Sequence, residues 1–340
     1  MTDFYALTDE EQARRLTDLA VAALAAWEGD FDEPQLIKYR ENAVFSVRRR
    51  DGVRAALRVH RHGYHSDAAL HSEHFWMSEL AKAGIEVPVV LPPRDGGSFV
   101  HVGIADVPEV RQVDMLGWLS GAPIGSAEEG LDDAGAGNEE LYFKAGQLAA
   151  KLHGLNSKMA WPPAFTRHSW NANGLIGENP LWGRFWDLAD LSPAERDALL
   201  KARAKAAVDL AGFSISTDRY GMIHADFVPE NLMNDGGLLK LLDFDDCGFG
   251  WYMFELATAL YFIIDDTNFA ALKGALFEGY RAVRPLSADD EAVLPLFLFL
   301  RGTTYLGWIQ TRPETQTARE LGPILIARTC RLAADYLEAR

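Results

Sequence analysis

One segment constrains this chain more than any other. It runs Gly221-Met-Ile-His224-Ala-Asp226-Phe-Val-Pro-Glu-Asn231, passes through a short hairpin expected over 231–243, and ends in Leu241-Leu-Asp243-Phe-Asp245-Asp246. An Asp, four intervening residues and an Asn, with a second Asp just after the next strand, gather three oxygen-bearing side chains around a folded-back hairpin. Oxygen donors suit a hard divalent cation, and a carboxylate beside them suits work on the proton of a hydroxyl. Taken alone, Asp and Asn near a proline are ordinary turn residues, and a single D-x4-N has little specificity. His224, the hairpin spacing and Asp243 lift the segment above that background.

The rest of the chain reads as a small β-rich part followed by a larger helical part. Thr8 with Glu11 forms a capping-box pattern before Leu16, Leu19, Ala23, Leu24 and Trp27 at helical spacing, and Gly29 ends that helix. Two β-rich runs, AVFSVRRR and VRAALRVHR, flank Asp51-Gly52, a dipeptide suited to a tight antiparallel turn. Ser66 and Asp67 cap a predicted helix that runs to Gly84, and short strands are expected over 85–102. A Gly-, Ala- and acid-rich stretch, 121–137, marks a loop or boundary. Helices are then expected at 139–155, 193–212, 251–264, 268–283, 288–311 and 315–339. The fold class is α+β in two lobes, a small antiparallel sheet with one helix and a larger helical body holding one hairpin.

The formal net charge of -16 repels phosphate backbones, so nucleic acid is not an expected partner. The longest apolar runs, 254–264 and 293–300, fall short of a bilayer span and border Glu255, Asp265 and Arg301, so no membrane helix is expected. Two cysteines exclude a disulfide framework and a cysteine-rich zinc site, and reduced thiols fit a cytoplasmic protein.

The spacing of Asp226, Asn231 and Asp243 matches a kinase catalytic loop. With Tyr39-Arg-Glu-Asn42, Leu57-Arg58-Val59 and Glu73, the chain resembles the aminoglycoside phosphotransferase and choline kinase superfamily, which includes homoserine kinase-like enzymes and related bacterial stress-response kinases. The resemblance spans nearly the whole chain and is strongest over 221–257. It implies a protein-kinase-like fold with a nucleotide-binding lobe over 1–116 and a helical catalytic and acceptor-binding lobe over 117–340. It also implies ATP and Mg²⁺ as cofactors and transfer of the γ-phosphate to a hydroxyl of a small molecule. By the resemblance, Asp226 is the catalytic aspartate, His224 supports its loop, and Asn231 and Asp243 hold the metal. Arg58 stands where kinases carry the strand lysine that contacts the α- and β-phosphates; arginine keeps the cation and adds a fork of donors. Glu73 falls on the apolar stripe of its helix and needs a buried cation, for which Arg58 is the candidate. Asn42 belongs to a phosphate-covering loop that lacks glycine. Asp114, Met115 and Leu116 are the expected hinge whose backbone meets the adenine. Glu255 stands where the family usually has Asp to brace the catalytic loop.

Only seven residues separate Asp246 from Phe254, which leaves no room for the long activation segment that docks peptides in protein kinases. A small acceptor follows. Asp245, Asp246, Asp265, Trp251 and Trp308 are the candidate acceptor-binding residues, a lining that suits an amine-bearing molecule such as an amino alcohol, homoserine or an aminoglycoside. Trp182 and Trp186 are further candidates to cover a cation, against the plainer reading that such tryptophans anchor core or loops. Two alternatives stay open: a stress-response-type Ser/Thr protein kinase, and a non-catalytic nucleotide-binding module. Five of the nine histidines cluster over 60–74 without a carboxylate or cysteine framework for a metal, and His71 and His74 read as exposed helix residues.

Overall fold

Alternation along 43–59 is realised as an antiparallel hairpin. In the computed structural model, which describes residues 4–40, 42–126, 130–131 and 137–338, strand β2 (Ala43–Arg48) pairs with β3 (Arg54–Val59), Val44 opposite Arg58. The chain divides into two units: Met1–Ser120 with Pro162–Thr166, and Gly121–Trp161 with Arg167–Arg340.

In the first unit, helix α1 (Asp9–Ala23) starts where Thr8 Oγ1 accepts from the Glu11 amide at 3.3 Å. Strand β1 (Gln35–Tyr39), helix α2 (Asp67–Lys82), and strands β4 (Val100–Val102) and β5 (Arg111–Gly117) follow, and the five strands order β1-β2-β3-β5-β4. β1 was not anticipated, because Gln35 to Tyr39 lacks an apolar alternation; four of its five residues are exposed. Over 85–102 only β4 is a strand, with a single bridge from Val90 to Leu116. Side-chain alternation sorts β3 into two faces. Leu57 and Val59, with Val113 and Met115 of β5, pack against Leu16, Leu19 and Ala23 of α1, each large side chain contributing about 2 kcal/mol of burial. Arg58 and its cross-strand partner Asp114 point the other way, where α2 supplies Glu73.

The second unit opens with three two-residue strands, β6 (Ala122–Pro123), β7 (Gly125–Ser126) and β8 (Gly130–Leu131), followed by α3 (Asn138–Leu155), β9 (Ser169–Trp170), α4 (Ala172–Ile176) and α5 (Pro193–Gly212). Strand β10 (Tyr220–Ile223) pairs with β13 (Gly248–Trp251), and the expected hairpin is β11 (Leu232–Asp235) with β12 (Leu238–Leu241), turning on Gly236 and Gly237 in the left-handed region. The remaining helices are α6 (Tyr252–Tyr261), α7 (Phe269–Arg281), α8 (Ala288–Ala292), α9 (Leu294–Thr311) and α10 (Gln316–Glu338). The single helix expected over 288–311 is two, because Pro295 lacks an amide hydrogen and fits only the first turn of a new helix. α3 and α7 cross at glycines: a Cβ on Gly146 would collide with the Leu276 carbonyl and one on Gly279 with that of Phe143. This close approach sets Tyr280 of α7 against His153 of α3. Among the described residues no helix is long and apolar enough to cross a membrane.

Candidate active site

Strand β10 delivers His224, Ala225 and Asp226 at its end, and α6 receives them. Glu255, fully buried in the first turn of α6, accepts the amides of His224 and Ala225 on its two oxygens, each at 2.7 Å. Glu255 thus bridges two consecutive amides of the loop. Behind Glu255 stands His153, its Nε2 at 3.7 Å from the carboxylate, its ring stacked on Tyr252 at 4.2 Å and its Nδ1 bonded to the Tyr280 hydroxyl at 3.0 Å. Burial pushes the His153 imidazole below its ordinary value, against the pull of Glu255.

His224 ties the loop to the hairpin. Its Nε2 donates to the Leu242 carbonyl at 2.7 Å and its Nδ1 accepts from the Asp226 amide at 3.3 Å, partners that assign the Nε2–H tautomer. The Leu242 amide donates to the Asn231 carbonyl at 2.9 Å. Leu242 is thus bonded to both His224 and Asn231, and Asp243 follows it, exposed and with φ of 61°. Asn231 donates through Nδ2 to Asp226 Oδ2 at 2.8 Å and to the Asp226 carbonyl at 2.9 Å. His224, Asp226 and Asn231 are therefore joined through one short network, and Asp243 is the next residue in the chain after its Leu242.

The other oxygen of Asp226 belongs to a residue the sequence reading passed over. Arg301 of α9 donates through Nη2 to Asp226 Oδ1 at 2.7 Å and through Nη1 to the Ala225 carbonyl at 2.9 Å. Arg301 is 0% exposed and the Asp226 side chain 20%. Its guanidinium also meets the Tyr305 hydroxyl at 2.5 Å and lies over the rings of Tyr305 and Trp182, 4.3 and 5.1 Å from their centroids. In the sequence Arg301 served only to end an apolar run, although a lone cation in such a stripe with Tyr305 four residues on is the available signal.

Residues 243–247 are fixed by the chain that precedes α4. Arg167 donates to the carbonyls of Cys247 at 2.6 Å and of Asp245, and the Asp246 carbonyl accepts from His168 Nε2 at 3.0 Å and Trp170 Nε1 at 2.9 Å. The Asp246 carboxylate accepts from Trp182 Nε1 at 3.3 Å. Asp246, Trp182, Arg301 and Asp226 form one continuous run of contacts. Asp245 is buried. The other acceptor candidates fall elsewhere. Asp265 is bound by Arg328 and Arg331 of α10, so its charge is already spent. Trp251 is buried at the start of α6 between Tyr220 and Phe297, a core position. Trp308, one turn beyond Tyr305 on α9, lies against Arg312.

In the first unit the structure forms the Arg58–Glu73 pair at 2.8 Å and adds a stronger one. Asp114 takes Arg58 Nε at 2.9 Å and Nη2 at 2.5 Å, and its Oδ2 also meets His74 Nε2 at 2.8 Å and His60 Nε2 at 3.2 Å. Burial opposes the charge on Asp114, but Arg58 and the two imidazoles outweigh it and hold the carboxyl well below its usual range. His74 is buried, contrary to the exposed reading, while His71 is exposed. Asp114, Met115 and Leu116, the residues expected to face the adenine, belong to strand β5. These residues pair with Arg58, Leu57 and Ala56 on one side, and on the other Met115 O accepts from Leu91 N and Leu116 bridges to Val90. The three residues therefore lie inside strand β5, which ends at Gly117. Asn42 ties the start of β2 to the chain just past β3, its Oδ1 accepting from the Arg61 amide at 3.0 Å; its neighbour Glu41 lies outside the described residues.

A family model for the phosphotransferase enzyme family matches residues 33–289. The chain belongs to that family. Among solved structures it is similar to a microcompartment-associated aminopropanol kinase, at 31% identity, covering 95% of this chain and 99% of that one, with a TM-score of 0.83. An amicoumacin kinase structure in complex with AMP-PNP and Ca²⁺ shares the fold at 20% identity, covering 97% and 96%, with a TM-score of 0.76. The amicoumacin kinase of Bacillus subtilis is 23% identical over 310 residues, 85% of this chain and 83% of the relative. The resemblance read from 221–257 is borne out, as are the protein-kinase-like α+β fold and the assignment of the chain as a kinase acting on a hydroxyl.

Proposed function

We propose that this phosphotransferase moves the γ-phosphate of ATP to the hydroxyl of a small amine-bearing alcohol, with Asp226 orienting that hydroxyl and receiving its proton. One observation carries the reading. Asp226 is held on Oδ2 by Asn231 and on Oδ1 by Arg301, yet keeps 20% of its side chain exposed. A carboxylate fixed at both oxygens and still open is poised to meet a ligand.

The relative named as an aminopropanol kinase supports the substrate class, and the AMP-PNP and Ca²⁺ of the amicoumacin kinase complex support a nucleoside triphosphate with a divalent cation. Asn231 and Asp243 offer hard oxygen donors that fit Mg²⁺, and because Asn231 spends Nδ2 on Asp226, its Oδ1 is the atom that would serve a cation. The cation would neutralise charge on the phosphates. In the first unit, Arg58 is the phosphate-binding cation, oriented by Glu73 and Asp114. For the acceptor's ammonium we assign Asp246, beside the Trp182 ring. The two free cysteines fit work in a reducing cytoplasm.

The test is a nucleotide-consumption screen with Mg²⁺ across amino alcohols and their neutral isosteres, with products identified by mass. Phosphorylated amino alcohol, absent for the isosteres and absent with Asp226→Asn, is the expected result. Label appearing only on protein, or neutral alcohols serving equally well, would remove the reading.

A further inference from the structure

We propose that Arg301 is the positioning residue of the catalytic loop, presenting the Asp226 carboxylate to the acceptor by gripping both that carboxylate and the peptide that precedes it. The inference rests on the role given to Asp226 above and adds the residue that makes it effective.

Ala225 sits in the left-handed region at φ of 65°, which strains a residue with a side chain. Its peptide groups are clamped at both ends, the amide by Glu255 Oε2 and the carbonyl by Arg301 Nη1. The next side chain, Asp226, is then taken by Nη2 of the same guanidinium. Two donors in one rigid plane fix the carbonyl and the carboxylate relative to each other, which a single ammonium would not do.

A purely stabilising role fits poorly. Arg301 is fully buried, and its Nε–H has no hydrogen-bond partner among the described residues, an arrangement that costs stability. The partner it takes is the partly exposed Asp226 rather than a buried carboxylate. The guanidinium is wedged instead by Tyr305, Trp182 and Phe254, whose rings fix its plane. Because Trp182 also donates to the Asp246 carboxylate, the grip on Asp226 is continuous with the residue assigned to the acceptor's ammonium.

The experiment measures kcat per nucleotide-binding-competent site, with thermal midpoint as a check on folding. Arg301→Lys keeps the charge but not the fork, and its kcat should fall about tenfold to a hundredfold with the nucleotide KM within about twofold of wild type. Should Arg301→Lys fail to fold, Tyr305→Phe removes only the hydroxyl that steadies Nη2, and a fall of about threefold to tenfold in kcat is expected. In an Asp226→Asn background the same changes should cost less than about twofold, since the carboxylate they present is gone. Unchanged kcat per competent site, an equal loss in both backgrounds, or a loss confined to nucleotide KM would overturn the proposal. Wild-type turnover in Asp226→Asn alone would instead overturn the role of Asp226, which keeps the two failures distinct.

Discussion

Each unit of the chain sets an arginine against an aspartate, and the two pairs differ in what is left of the aspartate. Asp114 is 0% exposed, and both its oxygens are consumed by Arg58, with His60 and His74 filling in behind. Asp226 also has both oxygens held, by Arg301 and Asn231, yet a fifth of its side chain stays open. The first carboxylate is closed off, so its worth is rigidity and the aim of Arg58. The second is closed everywhere but one side, which is how a fold keeps a carboxylate ordered and still available.

That contrast separates variants that unmake the fold from variants that stop turnover. Asp243→Asn removes the charge offered to the cation while touching an exposed residue, so turnover should fall about a thousandfold with the thermal midpoint nearly unchanged, read by nucleotide consumption across a metal titration. Asp114→Asn should do the reverse. It takes the charge of Asp114 away from the buried Arg58, which then has Glu73 as the carboxylate of the pair, at a cost of about 3–5 kcal/mol in a denaturant titration. Glu255→Gln keeps the shape of the brace but sets an amide group against one backbone N–H, and kcat should drop about tenfold to a hundredfold.

Acid should also tell the two regions apart. The Asp114 carboxyl is depressed in the fold, so its stabilisation is complete above its unfolded value of 3.8 and is lost as pH falls below that toward the folded value. His153 is depressed as well, but a histidine held neutral is stabilising only while the unfolded chain is neutral too; its penalty grows as pH falls through 6.5. Softening near Glu255 should therefore begin nearly three pH units above softening of the Arg58 cluster. Hydrogen exchange against pH reads both, and His153→Gln should remove the upper transition alone. The smallest effect is expected from Asp265→Asn: Asp265 and its partner Arg331 are each about half exposed, so stability should change by under about 1 kcal/mol and acceptor KM not at all.

Local signals in the sequence carried most of the fold. The Thr8 cap, the Asp51-Gly52 turn and the 231–243 hairpin are all short-range patterns, and they fold as read. At the site, Asp226, Asn231 and His224 were legible because they share one loop whose spacing is itself the motif. Arg301 was not, since it reaches Asp226 from 75 residues away and nothing near it in sequence shows which carboxylate it serves. The placement of 114–116 inside β5 was hidden for a related reason. Strand residues and hinge residues look alike until the pairing on both edges is known, and the pairing through Leu91 joins distant segments. Asp265 shows the opposite case: its carboxylate suggested a pocket, but Arg328 and Arg331 hold it.

The most direct test is a single-turnover measurement of phosphoryl transfer from ATP to an amino alcohol by Asp226→Asn. With Asn231 and Asp243 intact, nucleotide should bind with wild-type affinity while transfer slows by about 10²- to 10⁴-fold. Transfer at the wild-type rate would show that the carboxylate gripped by Arg301 and Asn231 does not act on the acceptor.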